Sequence, residues 1–169
     1  EVRLHSGLQA RLYRISFSGE LAFELAVPAR QGEAVADAIL EAGEPFGIVP
    51  YGLEALNVLR IEKGFITHAE IDGRTTPGDL GLGKMVSVRK DDFIGRVMLS
   101  REGLQRADRE QLVGLRPVNP DHRILAGGHL LAPGTDPSMA NDQGHVTSAC
   151  WSPHLKSTIA LAMLKRGRK

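Results

Sequence analysis

Along Arg14–Pro28, RISFSGELAFELAVP, apolar side chains fall on alternate positions: Ile15, Phe17, Leu21, Phe23, Leu25 and Val27. The residues between them are mostly small or polar. This period of two predicts one half-buried strand. Glu20 follows a Ser-Gly turn, and Glu24 stands between Phe23 and Leu25. A carboxylate buried without partners is costly, so Glu24 either reaches water or meets a donor. A neighbouring Arg or Lys would serve, and so would a ligand.

Pro28 breaks the strand, and GEAVADAILEAG repeats Val35, Ala38, Ile39 and Ala42 at helical spacing, with Gly43 suited to the C-terminal cap. Phe46–Pro50 reads as a short extended piece, because Pro50 disfavours helix before it. A second helix is predicted over Leu53–Lys63, ending at Gly64. Leu53, Leu56, Leu59 and Ile61 form its core stripe, with Glu54, Arg60 and Glu62 facing out and Arg60 and Glu62 in ordinary salt bridges. Residues 65–83 are an irregular loop of the length that often carries function. Met85–Arg89 alternates like a strand, and FIGRVMLSREGL reads as a short helix capped by Asp92. The charged run 105–110, QRADRE, lacks apolar anchors and reads as a linker. Beyond it, strands are predicted over Gln111–Val118, Gly144–Trp151 and Ser157–Leu164, with turns at Asn119–Asp121, Gly127–Gly128 and Ala132–Gly134. The expected architecture is α+β: an α/β domain over 1–103, then a small β-barrel over 111–169.

Charge narrows the partners. Lys and Arg number 21 and Asp and Glu 20, for a formal +1, which argues against a nucleic-acid or membrane-surface binder. The basic end Lys165–Lys169 reads as solvated. With 42% hydrophobic residues the chain can pack a core. The one cysteine, Cys150, excludes an intrachain disulfide and reads as a small buried hydrophobe beside Trp151 in the barrel core. A reducing, cytoplasmic setting is expected. No apolar run approaches a membrane span. Glu1 opens the chain without methionine, and an apolar run ends it, so a piece of a longer polypeptide is expected.

No HExxH, CxxC, calcium loop, phosphate-binding glycine motif or nucleophile elbow is present, and no metal site is expected. Chemistry must rest on carboxylates and aromatics of the first domain, or on residues outside the chain.

Five ordered pieces carry a resemblance: SFSGELAFELAVP, PYGLEALNVLRIEKGFI, DGRTTPGDLGLG, KDDFIGR and GHVTSACWSPHLKSTIALAML. Their order and spacing are similar to the glycine-cleavage T-protein (aminomethyltransferase) superfamily. Within it they look most like the C-terminal folate-binding region of sarcosine oxidase alpha subunits of the heterotetrameric type. The resemblance implies a ferredoxin-like, T-protein-type domain followed by the family barrel. It also implies tetrahydrofolate as acceptor of the one-carbon unit from oxidised sarcosine, giving 5,10-methylenetetrahydrofolate. Flavin and NAD would sit elsewhere in a hetero-oligomer with the other oxidase subunits.

Carried over residue by residue, Glu24 matches the glutamate that takes two adjacent N–H donors of the pterin edge. A carboxylate suits that pair. Phe17 stands where many relatives have a folate-contacting tyrosine, and can line or stack but not donate. Leu56 stands where T-proteins carry a folate-binding arginine. The catalytic aspartate falls upstream of Glu1, so no catalytic residue is assigned and the chain alone is expected to be inactive. The Thr75-Thr76-Pro77 loop closes one wall of the pocket on the same reading. A subunit-docking module without folate, or another folate-dependent relative such as a dimethylglycine-oxidising enzyme, are the alternatives.

Overall fold

The computed structural model describes residues 1–87 and 89–168. The chain divides into two compact units, Glu1–Lys63 and Gly64–Lys169. This division falls within the 1–103 span.

In the first unit, β1 (Val2–Arg3), β2 (Gln9–Tyr13) and β3 (Glu24–Ala26) form an antiparallel sheet in that order. Leu12 pairs with Leu25, and Tyr13 with Glu24. The single strand expected over Arg14–Pro28 is therefore corrected to a turn followed by a three-residue strand. The cause is local. Gly19 adopts φ +88°, its N–H donates to Ser16 Oγ at 2.9 Å, and the Glu20 N–H donates to Ser18 Oγ. Serine hydroxyls here satisfy backbone that a strand would have paired.

Helix α1 (Gly32–Gly43) and helix α2 (Leu53–Lys63) lie where their periodicity placed them. The left-handed residue beyond α1 is Gly47 (φ +71°), not Gly43, and the Ile48 N–H closes back onto Gly43 O at 3.2 Å. Gly43 matters for space, since a Cβ there would come within 2.6 Å of the Ile48 side chain. A 3-10 turn over Glu44–Phe46 replaces the start of the expected extended piece. In α2, Leu53 is 83% exposed while Arg60 is buried with Ile61, which reverses the expected roles of Leu53 and Arg60.

The second unit opens with an irregular stretch. A 3-10 turn over Gly83–Met85 takes the first residue of the strand expected over Met85–Arg89, and Val86, Ser87 and Arg89 are not in a strand; Val88 lies outside the described residues. The single helix expected from FIGRVMLSREGL is two short ones, α3 (Arg96–Leu99) and α4 (Glu102–Gln105). Asp92 Oδ1 accepts the Phe93 N–H at 2.9 Å instead of capping either helix. Strands β4 (Glu110–Leu115), β5 (His129–Leu131), β6 (Asp142–Ser152) and β7 (Ser157–Lys165) then form an antiparallel sheet in the order β4-β7-β6-β5.

Inner strand β7 is buried continuously from Ser157 to Met163, as a strand covered on both faces must be. Val146, Ala160 and Ala162 make the core, with Val113, Leu115, Ile124 and Leu130 packed on it. Small residues bring the strands close. At Gly144 (φ +144°) a Cβ would lie 1.9 Å from Met163 O. Trp151 is corrected from barrel core to surface: it is 55% exposed, because alternation along β6 turns Ser152 inward beside it.

Candidate functional site

The turn after β2 and the start of β3 carry the two residues expected to touch a ligand. Glu24 opens β3 and is exposed. Among the described residues, no side-chain hydrogen bond or ion pair engages its carboxylate. Phe17 sits in the serine-stabilised turn with its ring 39% exposed. The turn is fixed against the end of α2: a Cβ on Gly19 would lie 2.7 Å from Cγ and Cδ of Lys63. Only glycine fits both this contact and the positive φ. One turn upstream, buried Arg60 donates from Nε to Asn57 Oδ1 at 2.8 Å. Leu56 is half-buried on the same helix.

An exposed carboxylate held at a strand start is an acceptor-only group with two oxygens free for a ligand's donors. The aromatic face of Phe17 offers stacking area without a donor. The first unit thus presents an acceptor and a ring, with no nucleophile or base beside them among the assigned residues.

The second unit holds two buried carboxylates that sequence reading did not single out. Glu70 is 1% exposed. Its Oε2 accepts from the Thr67 N–H at 2.7 Å and the Thr67 hydroxyl at 3.1 Å, and its Oε1 from the Ser148 hydroxyl of β6 at 2.6 Å. Asp79 accepts from the Thr76 N–H and hydroxyl at 2.8 and 2.9 Å. The Arg109 guanidinium bridges it, with Nε 3.0 Å from Oδ1, and donates a further hydrogen bond to Arg74 O.

Burial opposes ionisation of Asp79, but the Arg109 and Thr76 donors outweigh it and hold its carboxyl below the ordinary range. Arg168 closes the loop from the other side: its guanidinium donates to Gly78 O, Asp79 O and Leu112 O. The run 105–110 and the basic end are therefore tied down through Arg109 and Arg168. An arginine in a charged run carries no sign of the buried aspartate it will meet. The Thr-x-x-Glu and Thr-x-x-Asp spacings at Thr67–Glu70 and Thr76–Asp79 were the one available signal, since a side-chain oxygen three residues along can return to the backbone N–H.

The GCVT N-terminal domain model matches residues 2–90, over half of the chain. The model of the glycine cleavage T-protein C-terminal barrel domain matches residues 110–169. The chain belongs to the glycine cleavage T-protein family.

This T-protein-family chain is 58% identical over 169 residues to the sarcosine oxidase subunit alpha of Rhizobium meliloti (strain 1021), covering 99% of the chain and 17% of that relative. It is 34% identical over 166 residues to the aminomethyltransferase of Streptomyces coelicolor, covering 93% of the chain and 41% of the relative. The crystal structure of glycine cleavage system aminomethyltransferase T from Bartonella henselae superposes with a TM-score of 0.68 at 24% identity, over 91% of this chain and 41% of that one. The fold is thus the mixed helix-and-sheet T-protein type with its C-terminal barrel, and the chain spans well under half the length of these relatives. Among the described residues no helix is long and apolar enough to cross a membrane.

Proposed function

We propose that this chain is the folate-binding portion of a sarcosine oxidase alpha-type subunit. On this reading residues 1–103 hold the folate, and residues 111–169 are the accompanying barrel. The observation that carries it is the exposed Glu24 carboxylate, fixed at a strand start and unengaged by protein donors among the described residues. It fits the adjacent N–H donors of a pterin edge, which a carboxylate accepts as a fork. Phe17 lines the ring's face and fixes no hydrogen bond. When bound, tetrahydrofolate accepts the one-carbon unit from oxidised sarcosine and leaves as 5,10-methylenetetrahydrofolate. The residues of this chain orient it; the base, the flavin and the NAD belong elsewhere in a cytoplasmic hetero-oligomer of oxidase subunits.

Isothermal titration of the native polypeptide with tetrahydrofolate tests this. Glu24→Gln converts one acceptor oxygen into a donor group facing donors, and affinity falls by roughly tenfold or more. Wild-type-like affinity in that variant would overturn the role of Glu24.

The apolar residues left open in the first unit favour a second reading, a docking module for other oxidase subunits. Phe46, Val49, Tyr51 and Leu53 are each more than half exposed. A pure docking module co-purifies with its partners and gains no heat stability from tetrahydrofolate.

A further inference from the structure

In the second unit, strand β5 meets β6 through a pair of histidines. His129 and His145 are Cα partners in the antiparallel ladder, so their side chains leave the same face of the sheet. The rung before them is a bulge: Gly127, at φ +81°, donates its N–H to Val146 O, and the Val146 N–H donates to Gly128 O, both at 2.8 Å. Hydrogen-bonded and open rungs alternate along an antiparallel pair, which makes His129–His145 an open rung. Open rungs bring the Cα atoms to about 4.5 Å and the side chains closest together. No spacing along the chain marks this pair, because the ladder brings it together.

Each imidazole has a carboxylate at the same ring nitrogen. His129 Nδ1 lies 3.0 Å from Asp142 Oδ2, and His145 Nδ1 lies 3.7 Å from Glu110 Oε2. The first is a hydrogen bond; the second is longer, yet close enough for the carboxylate to attract the ring N–H. A carboxylate at Nδ1 favours the tautomer with its proton there and leaves the Nε2 lone pair free. Among the described residues no hydrogen bond engages either Nε2. The two side chains are 62% and 38% exposed, so an ion can reach them. The Gly144 N–H, and after it His129, hold the Asp142 carboxyl below the ordinary range, so it is anionic. Two carboxylates stand against one ammonium, that of Lys165, whose Nζ donates to Asp142 O at 2.6 Å. The local charge therefore favours a cation.

The geometry points to a divalent transition-metal site, in which His129 Nε2 and His145 Nε2 are the protein ligands and Asp142 and Glu110 orient them. Imidazole suits zinc, copper and nickel, whereas calcium and magnesium take oxygen ligands. Among the described residues no group of three or more His, Cys, Asp or Glu side chains is placed to hold a metal, so water completes the coordination. A bound ion clips the three-residue edge strand β5 to β6. The site stands independently of the folate reading.

The test titrates Zn²⁺ into the metal-free native polypeptide and reads histidine modification by diethylpyrocarbonate, peptide by peptide, with mass spectrometry. The reagent acylates a free imidazole nitrogen, and a metal on Nε2 blocks it. Without zinc both histidines react. Zinc protects His129 and His145 together, with one midpoint, while His154, exposed in the β6–β7 turn, needs more. His129→Gln raises the zinc needed to protect His145 by roughly tenfold or more, because two-point attachment is lost. Asp142→Asn raises the midpoint for the pair by about tenfold. The site is overturned if either histidine is unreactive in the metal-free protein, if the pair is protected no better than His154, or if protection of His145 is unchanged in His129→Gln. An unchanged midpoint in Asp142→Asn overturns the orienting role of that carboxylate. His129 is largely solvent-exposed, so glutamine is tolerated there, and the reaction of His145 without zinc in that variant checks that the rung is intact.

Discussion

The two units put their apolar residues to different ends. In Gly64–Lys169, β7 is buried over seven consecutive residues, Ser157 to Met163, and the deepest carboxylates, Glu70 and Asp79, are held by named donors. In Glu1–Lys63 the sheet is three-stranded, α1 buries nothing, and Leu21, Phe46 and Leu53 are each more than two-thirds exposed. A four-stranded sheet with two long inner strands, β7 and β6, can close its own core. A three-stranded sheet with short edges leaves apolar surface for something else to cover. The candidate ligand residues Glu24 and Phe17 lie on the open unit, while the buried charge networks lie on the closed one.

Substitutions can break this contrast, and the largest effect is expected at Gly144. Gly144→Ala sets a Cβ 1.9 Å from a backbone carbonyl of the neighbouring strand, which cannot move without unpairing β6 from β7. Loss of about 4 kcal/mol or more is expected in urea unfolding of the second unit.

Asp79→Ala comes next. It leaves the Arg109 guanidinium, 20% exposed, without its carboxylate and should cost about 3 kcal/mol. The same pair sets an acid limit. Asp79 is held below its ordinary value of 3.8, so as pH falls the unfolded chain takes up the proton first. The stabilisation is complete above that value and lost as pH falls through the folded value. Arg109→Met should flatten the drop in unfolding midpoint below about pH 4; an unchanged acid limb would mean that other carboxylates set it.

Ser148→Ala removes the 2.6 Å donor to Glu70 and is expected to cost about 1–3 kcal/mol. The smallest effect belongs to the open unit. Phe46→Ser, at a residue 88% exposed, should change the thermal midpoint of the isolated 169-residue chain by no more than about 0.5 kcal/mol equivalent. A large loss there would show the first unit to be closed after all.

Much of the fold was legible along the chain. Helices α1 and α2 occupy the spans their period defined, and β6 and β7 differ from expectation only at their ends. Misreadings cluster where a local hydrogen bond or a glycine overrode the pattern. The alternation of RISFSGELAFELAVP is real, but Ser16 and Ser18 cap a turn in its middle. The Met85–Arg89 alternation was likewise too short to outweigh the 3-10 turn ending at Met85. Of the candidate site the sequence showed residue types: the structure places Glu24 and Phe17 on one exposed segment, and the ligand belongs to the proposal made for them. The Arg109–Asp79 and Ser148–Glu70 contacts were not legible, because their partners lie far apart in sequence.

By itself, then, the sequence determined what short-range physics controls: helices of period 3.6, the long β6–β7 hairpin, the positions of breakers, and the family its motifs spell out. Tertiary structure alone decided which charges are buried and which apolar residues stay open. Arg60, on a helix expected to turn it outward, is buried, while Leu53 on the same helix is exposed. Burial depends on the surface that arrives opposite a residue, and a chain read in order carries no direct record of that surface.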